Sequence, residues 1–346
     1  MTPEEKLADA VIHHSLNLFR YSAAEVTATM KRLKKMEKRL VAELATELTS
    51  DSRKSEVNAV LKATDDIIHE YYGGIQQSFD FADIGQTVSS ATSKSLQIAL
   101  GEQAASVPTQ AYFKSLASDI LIKGSPAKDW WAAQESALQF KFAAQVRQGL
   151  ANAETNQQII ARIVGTKSTP GIMEVARKDA ASLVQTSVQA VANDARMETF
   201  KANDDVINGF TIVATLDGHT CELCMAYSGA QYELDGTPIG DAPDLNGGPP
   251  WHFNDRCVCV PITKTFKELG LNIDEPGAST RASDEGQISG NTTFDDFLKT
   301  KSEAYQDEML GPGRADLWRN GKITLRDLVN GKGRPLTLDE LKAKFS

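Results

Sequence analysis

The sequence predicts a mainly helical protein: a long helical body first, then a small, cysteine-rich α+β module, then a tail of short helices. Three observations carry this reading. Apolar residues recur at helical spacing from the start of the chain to about residue 203. β-Branched and aromatic residues first bunch at Gly209-Phe-Thr-Ile-Val-Ala-Thr215, as in a strand. All four cysteines then follow as Cys221-Glu-Leu-Cys224 and Cys257-Val-Cys259, with His252 just ahead of the second pair. The chain of 346 residues therefore divides into a helical body (1–204), the module (205–264), a flexible connection (265–292) and a helical tail (293–346).

The first helix spans Thr2 to about Leu48, with Thr2 as cap, Pro3 in the first turn and two acids favouring the helix dipole. Val26, Met30, Leu33, Leu40, Leu44 and Leu48 form its apolar stripe. Lys31 to Arg39 is the densest basic segment, read as a solvated helix face flanking that stripe rather than a contact for DNA or an acidic ring. A second helix runs from Ser52 to Tyr72 and stops at Gly73-Gly74, the position of a C-terminal cap. Phe81 to Leu100 continues as a helix ending near Gly101, followed by helices over Ala111–Ile122, Trp130–Gly149, Thr155–Val164 and Pro170–Asn203. Trp130, Trp131, Phe140 and Phe142 are expected in a core or subunit interface. Asp274 to Thr293, rich in Gly, Ser, Asp and Pro, reads as a long loop. Beyond it, short helices are expected at Phe294–Leu310, Arg314–Asn320, Thr324–Val329 and Thr337–Phe345, each with a local stop signal.

A composition of 41% hydrophobic and 24% charged residues is that of a water-soluble globular chain. The formal net charge of -9 argues against a general nucleic-acid coat, which needs a basic face to displace counterions. No apolar run is long enough for a membrane span, and the start Met1-Thr-Pro-Glu-Glu-Lys lacks the features of a signal peptide, so a cytosolic product is expected. A reducing cytosol leaves the four cysteines as thiols or metal ligands.

Two cysteines at Cys-x-x-Cys spacing can reach one ion from a tight turn, with backbone N–H groups aimed at the sulfurs. Gly247-Gly-Pro-Pro-Trp-His252 makes the return, and Cys257 follows closely. Cys221, Cys224, His252 and Cys257 are therefore the preferred tetrahedral set for one structural zinc ion, with Cys259 as a rival and His219 as a more distant candidate. The bland alternative is four reduced thiols without a metal. A catalytic zinc keeps an open position for water, whereas this thiol-rich set fills its shell. Residues 216–260 are rich in Gly, Pro, Asp and Asn, so removal of the metal is expected to unfold this zinc-knuckle segment.

The stretch Asp217-Gly-His-Thr220-Cys221-Glu-Leu-Cys224, the turn Gly229-Ala-Gln-Tyr232, and Pro249-Pro250-Trp-His252-Phe-Asn254-Asp-Arg256-Cys257 together resemble the phage head morphogenesis family of Mu F-like minor head proteins. The helix Leu183–Arg196 is similar to the one preceding that family's module, and tail segments such as Arg334-Pro-Leu-Thr-Leu-Asp-Glu-Leu341 resemble its tails. The likeness covers roughly residues 150–346. One departure stands out. The family has Cys-Arg-Cys where this chain has Asp255-Arg256-Cys257, so Asp255, Cys257 and Cys259 all remain candidates for the fourth ligand.

The resemblance implies a structural minor virion protein, not an enzyme. It would be assembled in the host bacterial cytoplasm, located in the head in several copies, and bound to the portal or major capsid protein. Contact with packaged DNA and ejection with it belong to the same picture, and no membrane is required. The alternative is a metal-dependent nuclease using His252, Asn254, Asp255 and His219, which would need a second, hard-ligand metal site. A DNA-binding zinc module is disfavoured, because Asp217, Glu222, Glu233, Asp235, Asp241, Asp244 and Asp255 outnumber the lone Arg256 around the cysteines.

Overall fold

The structure is a computed structural model that describes residues 3–47, 54–100, 106–264, 280–283, 286–289 and 293–345. The expected cap at Thr2, Leu48 of the first stripe, the start at Ser52, the stop near Gly101 and most of the expected connection lie outside these residues. The described chain is mainly helical with a small sheet region. It folds as two compact units, one made of Phe19–Phe81 and Ala117–Val188, the other of Met1–Leu18, Ala82–Leu116 and Gln189–Ser346.

The first of these units is built from helices. It takes most of α1 (Pro3–Glu47), then α2 (Lys54–Gln76), α5 (Ala127–Ala151), α6 (Asn156–Val164) and the first part of α7 (Ile172–Lys201). Leu33, Leu40 and Leu44 of the expected stripe are buried, joined by Met36, while Val26 and Met30 are half-buried. The basic segment interleaved with these residues is partly spent on α2: Arg39 pairs with Glu70 at 2.9 Å and Arg32 donates to the Gly74 carbonyl. Glu37, buried on the same helix, pairs with Arg177 of α7.

Helix α2 does not stop at Gly73-Gly74; it runs on to Gln76. Neither glycine has the left-handed backbone of a cap, and Ile75, fully buried, holds the extra turn in the core. Tyr72 meets Trp131 edge-on, and Phe79 stacks on Trp131 with centroids 6.0 Å apart. Trp131 and Phe142 thus serve as core residues. Phe140, two positions before Phe142, lies on another helix face and is 76% exposed.

Where one helix over Ala111–Ile122 is expected, α4 ends at Asp119 and is followed by a hairpin of β1 (Leu121–Ile122) and β2 (Ser125–Pro126). Lys123 and Gly124 both take positive φ, the backbone of a two-residue turn whose twist matches the paired strands.

The second unit contains α3 (Phe81–Leu100) from Ala82 on, most of α4 (Gln110–Asp119), the end of α7 and everything after it. Its sheet is antiparallel in the order β5-β4-β3-β6, made of β3 (Ile207–Val213), β4 (Gln231–Glu233), β5 (Pro238–Ile239) and β6 (Val258–Thr263). The central β3 bonds to β4 and β6, with a register shift between Ile207 and Gly209 on the β6 side. Gly209 is needed there: a Cβ would overlap the Tyr232 carbonyl oxygen of β4. Helix α8 (Glu222–Tyr227) lies between β3 and β4 in the chain.

The tail does not stand apart from this sheet. Phe210, Ile212, Leu216, Met225, Tyr227 and Tyr232 share one apolar core with Phe294, Phe297, Leu298, Leu310, Trp318, Leu328 and Leu341. Residues 216–260, though poor in large apolar side chains, are thus covered by tail residues. Apolar burial is thus a source of stability for the segment beside the metal that the sequence leads one to expect.

The tail helices are α9 (Phe294–Lys299), α10 (Glu303–Leu310), α11 (Pro312–Arg319), a 3-10 turn at Leu325–Leu328, and α12 (Leu338–Phe345). The single helix expected over Phe294–Leu310 is broken because Ser302 caps a new start, accepting from the Tyr305 N–H. Within the expected loop before the tail, β7 (Thr280–Ser283) and β8 (Gly286–Ser289) pair as a hairpin. Among the described residues no helix is long and apolar enough to cross a membrane.

Candidate metal centre

Beyond β3 the backbone turns tightly around Asp217. Its carboxylate accepts from the His219 N–H at 2.9 Å, and Thr220 donates its hydroxyl to the Thr215 carbonyl. This turn delivers Cys221 to the start of α8, where its sulfur accepts from the Cys224 N–H at 3.4 Å. Cys221 and Cys224 thus share one tight turn, with a backbone N–H aimed at the Cys221 sulfur.

The second half of the site comes from the loop before β6. Asp255 organises it: one carboxylate oxygen accepts from Trp251 N–H at 2.9 Å, the other from Cys257 N–H at 2.8 Å. Asn254 takes a positive φ, a conformation asparagine tolerates better than most residues, which lets the loop turn back sharply. Trp251 is anchored against the Tyr227 ring at 4.3 Å and donates its indole N–H to the Leu245 carbonyl. The two halves are clamped by a bidentate ion pair. Arg256 donates to both carboxylate oxygens of Asp217, at 2.5 and 2.6 Å.

The donor atoms then converge. The sulfurs of Cys221 and Cys224 lie 3.4 Å apart, and His252 Nε2 is 3.1 Å from the first and 3.3 Å from the second. His252 Nδ1 is 2.8 Å from the Phe253 carbonyl, which fixes Nδ1 as the protonated nitrogen and leaves Nε2 to face the sulfurs. Cys221, Cys224 and His252 form one group whose ligand atoms lie within 4.8 Å of one another; Cys224, Asp255 and Cys257 form another. Cys224 is common to both, so Cys257 reaches the cluster through Cys224, with Asp255 beside it. Among the described residues neither His219 nor Cys259 belongs to a group of this kind. Cys259 is buried on β6 opposite Ile212, and Arg196 is among its electrostatic neighbours.

The protonation of the cluster follows from these short contacts. The bond from Cys224, together with His252, holds the Cys221 thiol down to about 4, while the same bond pushes Cys224 upward. His252 is raised to about 9 by its bond to Cys221. At neutral pH the metal-free cluster therefore contains a thiolate facing an imidazolium. For Cys257 the Cys224 bond pulls downward, but burial and the Asp255 charge prevail and carry it to about 11. A cation replacing these shared protons would release them on binding. Soft sulfur and imidazole donors fit zinc and disfavour magnesium or calcium, which take oxygen ligands. The cluster of Cys221, Cys224, His252, Asp255 and Cys257 could hold a metal ion.

The residues missed by sequence reasoning lie on α7. Gln189 and Asn193 both donate to the Cys257 carbonyl at 2.9 Å, and Asn193 also donates to the Pro249 carbonyl. Arg196 in turn donates to Asn193 Oδ1 at 2.8 Å. Their signal was legible: three polar residues at helical spacing on a helix whose neighbouring positions 188, 190–192 and 195 are Val and Ala. Comparison with family models, characterised proteins and solved structures finds no match for this chain.

Proposed function

We propose that the cluster holds one structural zinc ion per chain and that the protein is a minor head protein of a tailed phage, binding the portal or the inner capsid during head assembly. The observation that carries this reading is the convergence of Cys221, Cys224 and His252, with Cys257 brought alongside through Cys224. The resembling motifs are far apart in sequence, yet the Asp217–Arg256 ion pair clamps them into one spatial unit. A zinc in this position would supply cohesion rather than chemistry: Cys221, Cys224, His252 and Cys257 would complete its shell, with Asp255 as the competing fourth donor.

The reading of a metal-dependent nuclease gains less support. It requires a hard-ligand site separate from the thiol cluster, and among the described residues both ligand groups include Cys224. Elemental analysis of protein purified without chelator tests the metal, with one zinc per chain expected and its loss in Cys221→Ser. Co-sedimentation with portal rings or empty capsids tests the assembly role. Magnesium-dependent cutting of plasmid DNA that disappears in His252→Ala would overturn the structural reading in favour of the nuclease.

A further inference from the structure

Arg196 is 1% exposed, and its Nη2 has no hydrogen-bond partner. No acid pairs with it among the described ion pairs, although a buried guanidinium without a counter-charge is costly. Its neighbours include Cys259 on β6 and the residues that hold the loop before that strand. Arg196 Nη1 fixes the Asn193 amide by donating to Oδ1, so that Nδ2 points at the carbonyls of Cys257 and Pro249; Gln189 adds a second donor to the Cys257 oxygen. All three side chains are at most 5% exposed.

A zinc ion bound by three thiolates and a neutral imidazole carries a formal charge of about -1, and exchanging Cys257 for the Asp255 carboxylate leaves that charge unchanged. Either ligand set therefore provides an anionic centre, and the Asn193 amide links Arg196 to the backbone of Cys257 within it.

We propose that Gln189, Asn193 and Arg196 are positioning residues for the metal centre: Arg196 is its buried counter-charge, and the two amides hold the Cys257 backbone in ligating position. This rests on the zinc reading above. The arrangement makes the end of α7 part of the metal site, so that metal occupancy and the seating of this helix are coupled.

The test uses the full-length chain as wild type, Arg196→Met, Arg196→Lys and Asn193→Leu. Zinc affinity is measured by competition with a chromophoric chelator, and the cobalt-substituted proteins are compared by their visible absorption, which reports thiolate number and geometry. Arg196→Met and Asn193→Leu are expected to weaken zinc binding roughly 10- to 100-fold, the range seen when groups behind metal ligands are removed. Both should shift the cobalt bands, with Arg196→Lys recovering part of the loss. Phe200→Leu, an apolar change on the same helix, should lower stability without moving the cobalt spectrum. Folded Arg196→Met with wild-type affinity and spectrum overturns the proposal while leaving the zinc intact. If Arg196→Met does not fold, Gln189→Leu carries the test with the same expected and overturning results. A wild-type chain that takes up neither zinc nor cobalt overturns the metal reading itself, and this inference with it.

Discussion

Replacing Asp217 by Asn removes the charge that clamps the Cys221 turn to the Cys257 loop. The pair is bidentate, and its side chains are 18% exposed on Asp217 and 28% on Arg256, between the surface and buried extremes. Exposed pairs contribute about 0–1 kcal/mol, and breaking a buried pair costs about 3–5 kcal/mol, so about 2 kcal/mol is expected here. If zinc binding must draw the two halves together unaided, that loss appears as a roughly 30-fold weaker zinc affinity in chelator competition at neutral pH. Asp217→Asn, Arg256→Gln and the double variant complete a cycle in which the double change should cost little more than either single one.

Acid provides a second readout on metal-free protein. Burial alone would raise the Asp217 carboxyl, but the bonds from Arg256 and the His219 N–H hold it below its ordinary value of 3.8. A lowered carboxyl in the folded state contributes stability that is fully present above that ordinary value and is lost as pH falls through the lower folded value. The stability gap between wild type and Asp217→Asn should therefore be constant near neutrality and close below about pH 4. Wild-type zinc affinity in Asp217→Asn, or strictly additive losses in the cycle, would refute the clamp.

Other expectations follow from the packing. Gly74→Ala should stabilise α2 by about 0.5–1 kcal/mol, because the helix continues through it and nothing lies within 4 Å of a new Cβ; slower hydrogen exchange across α2 is the check. A loss of similar size would instead restore the glycine cap read from sequence. Gly209→Ala should cost about 2–3 kcal/mol by forcing β3 away from the Tyr232 carbonyl, seen as a lower thermal midpoint. On the zinc reading, chelation should open the loop around His252 to limited proteolysis, while the apolar core that joins Met225, Tyr227 and Tyr232 to Phe294, Phe297 and Trp318 stays protected.

Local signals were legible because they act over a few residues. The capping box at Thr155 with Gln158 starts α6 where Thr155 was expected to begin a helix, and Gly311 followed by Pro312 separates α10 from α11. Gly73-Gly74 misled because glycine ends a helix only where the backbone turns left-handed; burial of Ile75 decided the matter from outside the segment. Phe140 and Phe142 look equivalent in a list of aromatics, yet the helical turn puts one in solvent and the other in the core.

From the sequence alone came the mainly helical character, the strand at Gly209 and the crowding of thiols around His252, all properties of residue type and spacing, whereas the earlier β1–β2 hairpin went unread. Only the tertiary structure decided which donors meet. Cys257 and Cys259 sit two apart with the same chemistry, but the Asp255 turn brings the first beside Cys224, while the β6 register seats the second opposite Ile212. The buried face of Gln189, Asn193 and Arg196 became meaningful only once β6 and its preceding loop were laid against α7. Spacing governs what neighbouring residues can do together, whereas ligand convergence depends on turns and strand register that long-range packing sets.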